Sequence, residues 1–256
     1  MCSSDLGQWI NKKPKQHLRA LGIKKHVHID IFQCWDVLDA EVLHLRMAPN
    51  ALAVWKSASE FIRIPAVATV SKPLPWSDAA AFQSVVSKLN TTDVLHLGNS
   101  SIVRYFNYFP KAVQLYGNRG VAGIDGSLST AVGAALADPD RRHILIIGDQ
   151  SFLYDHNGFY GQKIPQNLVV CVLNNWVGGI FDWLPGTAST GSTAQRVFAN
   201  AQHVNLEGIA SAFGVDYEAV SSVAALVAAL DTAVAPKIID SKTEQHANLA
   251  ALVALQ

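Results

Sequence analysis

The sequence predicts an α/β protein, a parallel sheet with helices on both faces. Two observations carry this. The runs His143–Gly148 and Leu168–Leu173 are almost continuously apolar, as strands covered on both sides are. Helical stretches alternate with strands along the second half of the chain, which is the pattern of βαβ units.

The elements follow in order. Ser77 opens a helix, with Ser-Asp-Ala-Ala-Ala as its capping sequence, running to about Leu89. Asp93–Leu97 is a short apolar strand ending in Gly98-Asn99-Ser100. A helix at about Ile102–Phe109 leads to a strand at Ala112–Tyr116. A glycine-dense loop then precedes a small-residue helix at Ser127–Ala137. After the two apolar strands come a helix at Leu206–Phe213, a short strand, a helix at Val223–Ala233 and a strand at Lys237–Asp240. Upstream the texture differs. From Gln16 to about Val70 the chain has short pieces (His26–Asp30, Leu38–Leu45, a helical Asn50–Phe61) that close no core pattern. Val70–Trp76 carries two prolines and reads as a boundary. The expected organisation is therefore residues 1–15 unplaced and possibly non-native, 16–70 part of a central domain, and 71–256 one α/β domain.

Composition excludes several functions. Twenty basic residues balance twenty acidic ones over 256 residues, whereas a nucleic-acid binder carries a basic surplus. Half of the residues are hydrophobic, which excludes disorder. The longest strongly apolar stretch, Val223–Leu230, falls short of the ~20 residues that span a bilayer. No apolar core of a signal peptide opens the chain. Three widely spaced cysteines, Cys2, Cys34 and Cys171, form no CxxC pair, so a reducing cytoplasm is the expected compartment. Only 16% of residues are charged and the mean hydropathy is +0.18, against roughly 25% charged in a typical domain. A surface so poor in charge is expected to meet a partner, or to belong to something larger.

In an open parallel sheet, ligands bind beyond the carboxyl ends of the strands. Asp149 directly follows an apolar strand, where a carboxylate needs a cation, a metal or backbone donors. Asn175 takes the equivalent end of the next strand. A carboxylate oxygen, an amide oxygen and a main-chain carbonyl form an all-oxygen set suited to Mg2+, which completes its shell with phosphate oxygens and water. The competing reading has Asp149 capping a helix that starts near Asp155, with the asparagines making a turn. Gly120, Gly123 and Gly126 let the backbone approach a ligand before a helix whose N–H groups can face an anion. Arg104 and Arg119 lie near strand ends, where an arginine fork can hold a carboxylate. Each taken alone is more often a solvated surface arginine.

The spacing from Gly148-Asp149 to Asn174-Asn175 resembles the signature of thiamine-diphosphate enzymes. Four segments narrow the resemblance: Gly98-Asn-Ser-Ser-Ile-Val-Arg104, Asn118-Arg-Gly-Val-Ala-Gly-Ile-Asp-Gly-Ser-Leu-Ser-Thr-Ala-Val-Gly133, Gly148-Asp-Gln-Ser-Phe-Leu-Tyr-Asp-His-Asn157 and Gly178-Gly-Ile-Phe-Asp-Trp-Leu-Pro185. Together they resemble the 2-succinyl-5-enolpyruvyl-6-hydroxy-3-cyclohexene-1-carboxylate synthase (MenD) family of menaquinone biosynthesis. The resemblance covers Ser71 to the C-terminus and, more weakly, His26–Val70.

It implies that Asp149, Asn175 and the carbonyl of Val177 hold Mg2+ or Mn2+. It implies that these residues with Gln150, Ser151 and Ile180 contact thiamine diphosphate, and that Asn99, Arg104, Arg119 and Ile180 contact substrate. Position 150 is glycine in many relatives and glutamine here; position 177 is commonly glycine and is valine here. The reaction implied decarboxylates 2-oxoglutarate and joins the remaining unit to isochorismate, in a cytoplasmic homo-oligomer. In that family the activating glutamate sits in a separate N-terminal domain of a neighbouring subunit, and nothing in this chain corresponds to it. The chain is thus expected to be a C-terminal portion, without a catalytic residue of its own and inactive unless an N-terminal half is supplied. Two alternatives stay open: another thiamine-diphosphate-dependent 2-oxoacid decarboxylase or carboligase, and a non-catalytic cofactor-binding or assembly module.

Other conspicuous residues carry blander expectations. His26 and His28 share a face but lack a third ligand. Trp9, Trp35, Trp55 and Trp76 suit a packed or interface region. Gly133 is expected to permit close helix packing, Cys171 to be inert core, and His156 has no assigned role.

Overall fold

The computed structural model describes residues 73–120, 123–161 and 163–255, which fall within one compact unit, 67–256. The segments 1–15 and 16–70, with His26, His28, Trp9, Trp35 and Trp55, lie outside the described residues.

Six strands are described: β1 Val94–Leu97, β2 Gln114–Gly117, β3 His143–Gly148, β4 Leu168–Asn174, β5 Asp216–Val220 and β6 Lys237–Lys242. They form one sheet in the order β2-β1-β3-β4-β6-β5, every pair parallel. Nine α-helices are described around it: α1 Asp78–Ser87, α2 Ser101–Tyr108, α3 Ser127–Ala137, α4 Asp149–Asp155, α5 Pro185–Ala188, α6 Ser192–Ala199, α7 Leu206–Phe213, α8 Val223–Asp231 and α9 Gln245–Leu255. Short 3-10 turns occupy His156–Phe159 and Gly179–Asp182.

The predicted class is the observed one, and strand alternation explains it. Leu145 and Ile147 of β3 and Val170 and Val172 of β4 join Leu128, Ala131 and Val132 of α3, Phe152 of α4 and Leu206 of α7 in one core. Ile144, Ile146, Val169 and Cys171, the alternate residues, are equally buried and face the opposite way, where α1 packs on β4 and α8 and α9 pack on α1. Each fully buried Leu or Ile contributes on the order of 1.5–3 kcal/mol. Cys171 is inert core as expected: burial pushes its thiol up to about 12.

Strand order reverses between β1 and β3, so their carboxyl ends border a crevice. The chain also steps from β4 out to β5 and back to β6, which leaves β4 and β6 paired at the other side of the Asp149 end.

Several expectations shift. The capping role of Ser77 holds, its Oγ accepting from the Ala80 N–H at 3.3 Å. Asp149 does not cap a helix near Asp155; it is itself the first residue of α4, with Gly148 as the N-cap. Gly133 does not serve helix packing, since a Cβ there would meet nothing within 4 Å. The N-terminus of α3 is partly taken: the Asp155 carboxylate accepts from the Ser129 N–H at 2.7 Å and from the Ser129 hydroxyl at 2.6 Å. Helices α5, α6 and α9 are not among the elements that the sequence pattern predicts. Helix α6 has no buried residue, and such a helix lacks the apolar stripe that periodicity detects.

Candidate functional site

Asp149 sits where β3 ends and α4 begins. The residue is 6% exposed, because His143–Ile147 of the strand before it are buried and Phe152, one turn on, anchors α4 in the core. It accepts from the backbone N–H groups of Gln150 and Trp176. Burial pushes its pKa up to about 7; those two bonds oppose the shift, and the negative charges of Asp78 and Asp240 add to it. No cationic side chain pairs with it among the described residues.

The contact with Trp176 brings Asp149 against the loop after β4. Trp176 has φ +66°, in the left-handed region that non-glycine residues seldom occupy. That turn lets the chain reverse directly after Asn175. The Asn175 side chain accepts the Val177 N–H on Oδ1 at 3.0 Å and donates from Nδ2 to the Asp78 carboxylate at 2.8 Å. The Val177 carbonyl accepts the Gly179 N–H at 2.9 Å. Asp149 and the 174–177 loop are therefore neighbours, while the Asn175 amide hydrogens turn away to Asp78.

These residues fit a divalent cation. Asp149 is a buried carboxyl whose described partners are two N–H groups. An amide oxygen and a carbonyl oxygen each have a second lone pair after one hydrogen bond, so Asn175 Oδ1 and Val177 O could hold an ion as well. The set is all oxygen with a single carboxylate, which leaves positions for phosphate oxygens and water, as Mg2+ prefers. Among the described residues, no group of three or more His, Cys, Asp or Glu could hold a metal.

The other expected residues divide into two groups. Asn99 and Arg119 come together: Arg119 Nη1 donates to Asn99 Oδ1. The Asn99 amide also donates to the carbonyls of Asn118, at 2.8 Å, and Gly123. Asn99 is 2% exposed and ties the ends of β1 and β2 to the glycine-rich loop. Arg104 Nη1 donates to the Ser100 carbonyl one turn back on its own helix. Asn118 orders the same loop, donating to Gly126 O at 2.9 Å and Thr130 Oγ1 at 3.0 Å. Gly126 has φ +76°, so glycine is required there. Ser151 donates to the Ile124 carbonyl at 2.5 Å. Gln150 donates from Nε2 to the carbonyls of Ala199 and Asn200 at 2.9 and 3.0 Å, fastening the end of α6 beside α4. Ile180 is buried in the turn after Val177.

The sequence missed what lies behind Asn175. Asp78 is 4% exposed and accepts from the Thr243 hydroxyl at 2.5 Å, while its own N–H donates to Asn248 Oδ1 at 2.7 Å. Burial raises its pKa; the bonds from Thr243 and Asn175, and the nearby Asn248 amide, lower it in part. Thr243 also donates its N–H to the Asn174 carbonyl at 2.9 Å. An acid in the first turn of a helix reads as a helix-end charge, so no local signal separates it from an ordinary one.

A parallel sheet with a buried acid at the carboxyl end of β3, facing an asparagine loop, defines an α/β domain with its candidate site beyond the strand ends. Residues 97–242 match the thiamine pyrophosphate enzyme, C-terminal TPP binding domain, and the chain belongs to that family. Thiamine pyrophosphate is another name for thiamine diphosphate.

Among curated relatives, the chain is similar to 2-succinyl-5-enolpyruvyl-6-hydroxy-3-cyclohexene-1-carboxylate synthase of Flavobacterium psychrophilum, 31% identical over 229 residues, covering 83% of this chain and 41% of the relative. The same-named protein of Christiangramia forsetii is 40% identical over 151 residues, 58% of this chain and 26% of the relative. That of Bacteroides fragilis is 31% identical over 253 residues, 91% and 44%. The chain thus spans less than half the length of these relatives. A solved Mycobacterium smegmatis structure, assigned as a thiamin diphosphate-dependent enzyme, shares the fold. Its TM-score is 0.53 at 22% identity, covering 67% of this chain and 32% of that one.

Proposed function

We propose that this chain is the diphosphate- and metal-holding part of a thiamine-diphosphate-dependent carboligase. The reaction is the decarboxylation of 2-oxoglutarate with addition of the remaining unit to isochorismate, a step of menaquinone biosynthesis. The observation that carries this is Asp149, a buried acid with no cationic partner among the described residues, held against the loop of Asn175 and Val177. The name shared by the relatives supports the substrates.

In this reading Asp149, Asn175 Oδ1 and the Val177 carbonyl hold Mg2+ or Mn2+ against the diphosphate. Gln150 and Ser151 order the first turn of α4 beside it, and Ile180 packs its apolar side chain near the cofactor and keeps water out. Arg119, held in place by Asn99, and Arg104 take substrate carboxylates through charge-assisted bonds. Bound thiamine diphosphate supplies the nucleophilic carbon and the electron sink of the reaction. None of the described residues is assigned the proton transfer that activates it, so residues 1–256 by themselves are expected to bind but not to turn over.

Calorimetry of the purified chain with thiamine diphosphate, with and without Mg2+, is the first test. Turnover assays with 2-oxoglutarate and isochorismate follow, with and without the N-terminal part of the Bacteroides fragilis relative. Metal-dependent binding without turnover, and turnover on complementation, is the expected result. No metal-dependent binding, or turnover with another 2-oxoacid while isochorismate is ignored, overturns the reading.

A further inference from the structure

The amide of Asn175 has two faces and only one orientation that serves a cation, and the structure shows what selects it. On one side the Val177 N–H, which can only donate, occupies Oδ1 at 3.0 Å. On the other, Nδ2 points at Asp78 Oδ2 at 2.8 Å. A flipped amide would set N–H against N–H at Val177 and oxygen against carboxylate at Asp78. The third wall is Gly179, where a Cβ would come within 3.1 Å of Asn175 Nδ2. Asp78 is itself held from the far C-terminal segment, by the Thr243 hydroxyl on Oδ1 and by Asn248 on its backbone N–H. Asp78 and Asn175 are 97 positions apart in sequence and share a small cavity with Tyr105, Trp183 and Asn248. Asp78, Thr243 and Asn248 all lie outside the 97–242 segment that matches the family.

We propose that Asp78 is a positioning residue: buried behind the metal loop and braced by Thr243 and Asn248, it holds the Asn175 amide so that Oδ1 faces the cation. This rests on the reading of Asn175 as a metal-holding residue. Outer partners of this kind fix ligand orientation, and their loss typically costs 10–100-fold in metal affinity. The arrangement also gives the C-terminal segment a task, since Thr243 and Asn248 reach the loop after β4 through Asp78 and Asn174.

The test uses the full chain with Mn2+ plus thiamine diphosphate as probe, its metal-dependent affinity read by calorimetry and by the Mn2+ electron paramagnetic resonance signal. Four proteins are compared: wild type, Asp78→Asn, Asn175→Ala and the double variant. Asp78→Asn is expected to weaken metal-dependent binding by about 10–100-fold. In the Asn175→Ala background the same change is expected to add nothing, a coupling that a general loss of structure does not produce. Thr243→Val, which removes one support of Asp78 while nearly keeping its shape, is expected to weaken binding less and in the same Asn175-dependent way. It carries the test if Asp78→Asn fails to fold. A normal Asp78→Asn beside a weakened Asn175→Ala overturns the positioning role alone, as does strict additivity of the two changes. An Asn175→Ala chain that binds like wild type, or a wild type that binds no metal, overturns the clamp reading and this proposal with it.

Discussion

The two ends of the same sheet are finished in opposite ways. At the amino ends of the strands, charges are matched. Arg142 donates to both oxygens of Asp93, at 3.1 and 2.7 Å. Arg141 pairs with Asp138 at 2.5 Å. Asn167 donates its amide to the carbonyls of Ala135, Asp138 and Arg141, at 3.1, 2.9 and 2.8 Å. Beside them His96 Nε2 and His143 Nδ1 share a hydrogen bond of 2.9 Å, and burial holds His96 down at about 4. The pair is therefore neutral at pH 7 and adds no charge. At the carboxyl ends, Asp149 and Asp78 are buried with neutral donors only, among the described residues, and Asn174 presents a buried amide with no protein partner for either atom. Desolvated charge without a counterion costs stability. The contrast teaches that one end is built to hold the fold, while the other leaves buried acids without a counter-charge among the described residues.

The strongest way to break this comparison is to remove the acid at the carboxyl end. Asp149→Ala is expected to abolish metal-dependent thiamine diphosphate binding, a loss of at least ~100-fold, measured by calorimetry. Unchanged affinity would remove the distinction between the two ends.

The next test is pH. The Asp149 pKa rises from 3.8 to about 7 on folding, so between those values the folded state binds the extra proton. The stability this gives is fully present below about pH 4 and is lost as pH rises through about 7. Without metal, the chain should lose a few kcal/mol over that window, seen as a falling midpoint in thermal or urea unfolding. Asp78 shifts in the same direction. Asp149→Asn should flatten much of the slope. Mg2+ added with the cofactor near pH 6.5 should release close to one proton, read from calorimetry in two buffers of different ionisation heat.

Asp93→Ala probes the amino end. Asp93 is 5% exposed in its side chain against 35% for Arg142, so one buried charge pair is lost at a partly solvated site. A destabilisation of about 1–3 kcal/mol is expected, with metal-dependent binding unchanged. A binding defect would show that the two ends are coupled.

The smallest expected effect is at Gly133. It lies inside α3 with open space around it, so Gly133→Ala should stabilise by about 0.5–1 kcal/mol, read from unfolding, and leave both ends untouched.

How much of this was legible depends on the range of the forces involved. Continuous apolar runs announce buried parallel strands, and β3 forms at its predicted bounds because His143–Gly148 is an apolar run of strand length ended by a glycine. Strand β2 starts two residues later than the sequence predicts and runs one residue further, to Gly117, since at a half-exposed edge apolar patterning does not mark where pairing begins and ends. Asp149 stands out only together with Asn174-Asn175 at the end of the next strand, since an acid after a strand by itself also suits a helix cap. Gly133 was misjudged because a small residue on a helix says nothing of whether another element approaches it. Arg119 and Asn99 were each proposed for substrate, and only the structure shows that one holds the other.

The sequence by itself determined the fold class, the strand ends where a ligand belongs, and the acid and asparagines expected to meet there. These follow from local patterning and from the position of polar residues after apolar strands, which a one-dimensional reading can see. Only the tertiary structure decided what stands behind those residues. Thr243 after β6 meets Asp78 before β1, and Asp78 meets Asn175, because the sheet order sets β4 beside β6 and α1 packs on β4. A hydrogen bond between residues far apart in the chain leaves no trace in either one's neighbours. Orientation of a ligand amide is therefore written in the packing, even where its identity is written in the sequence.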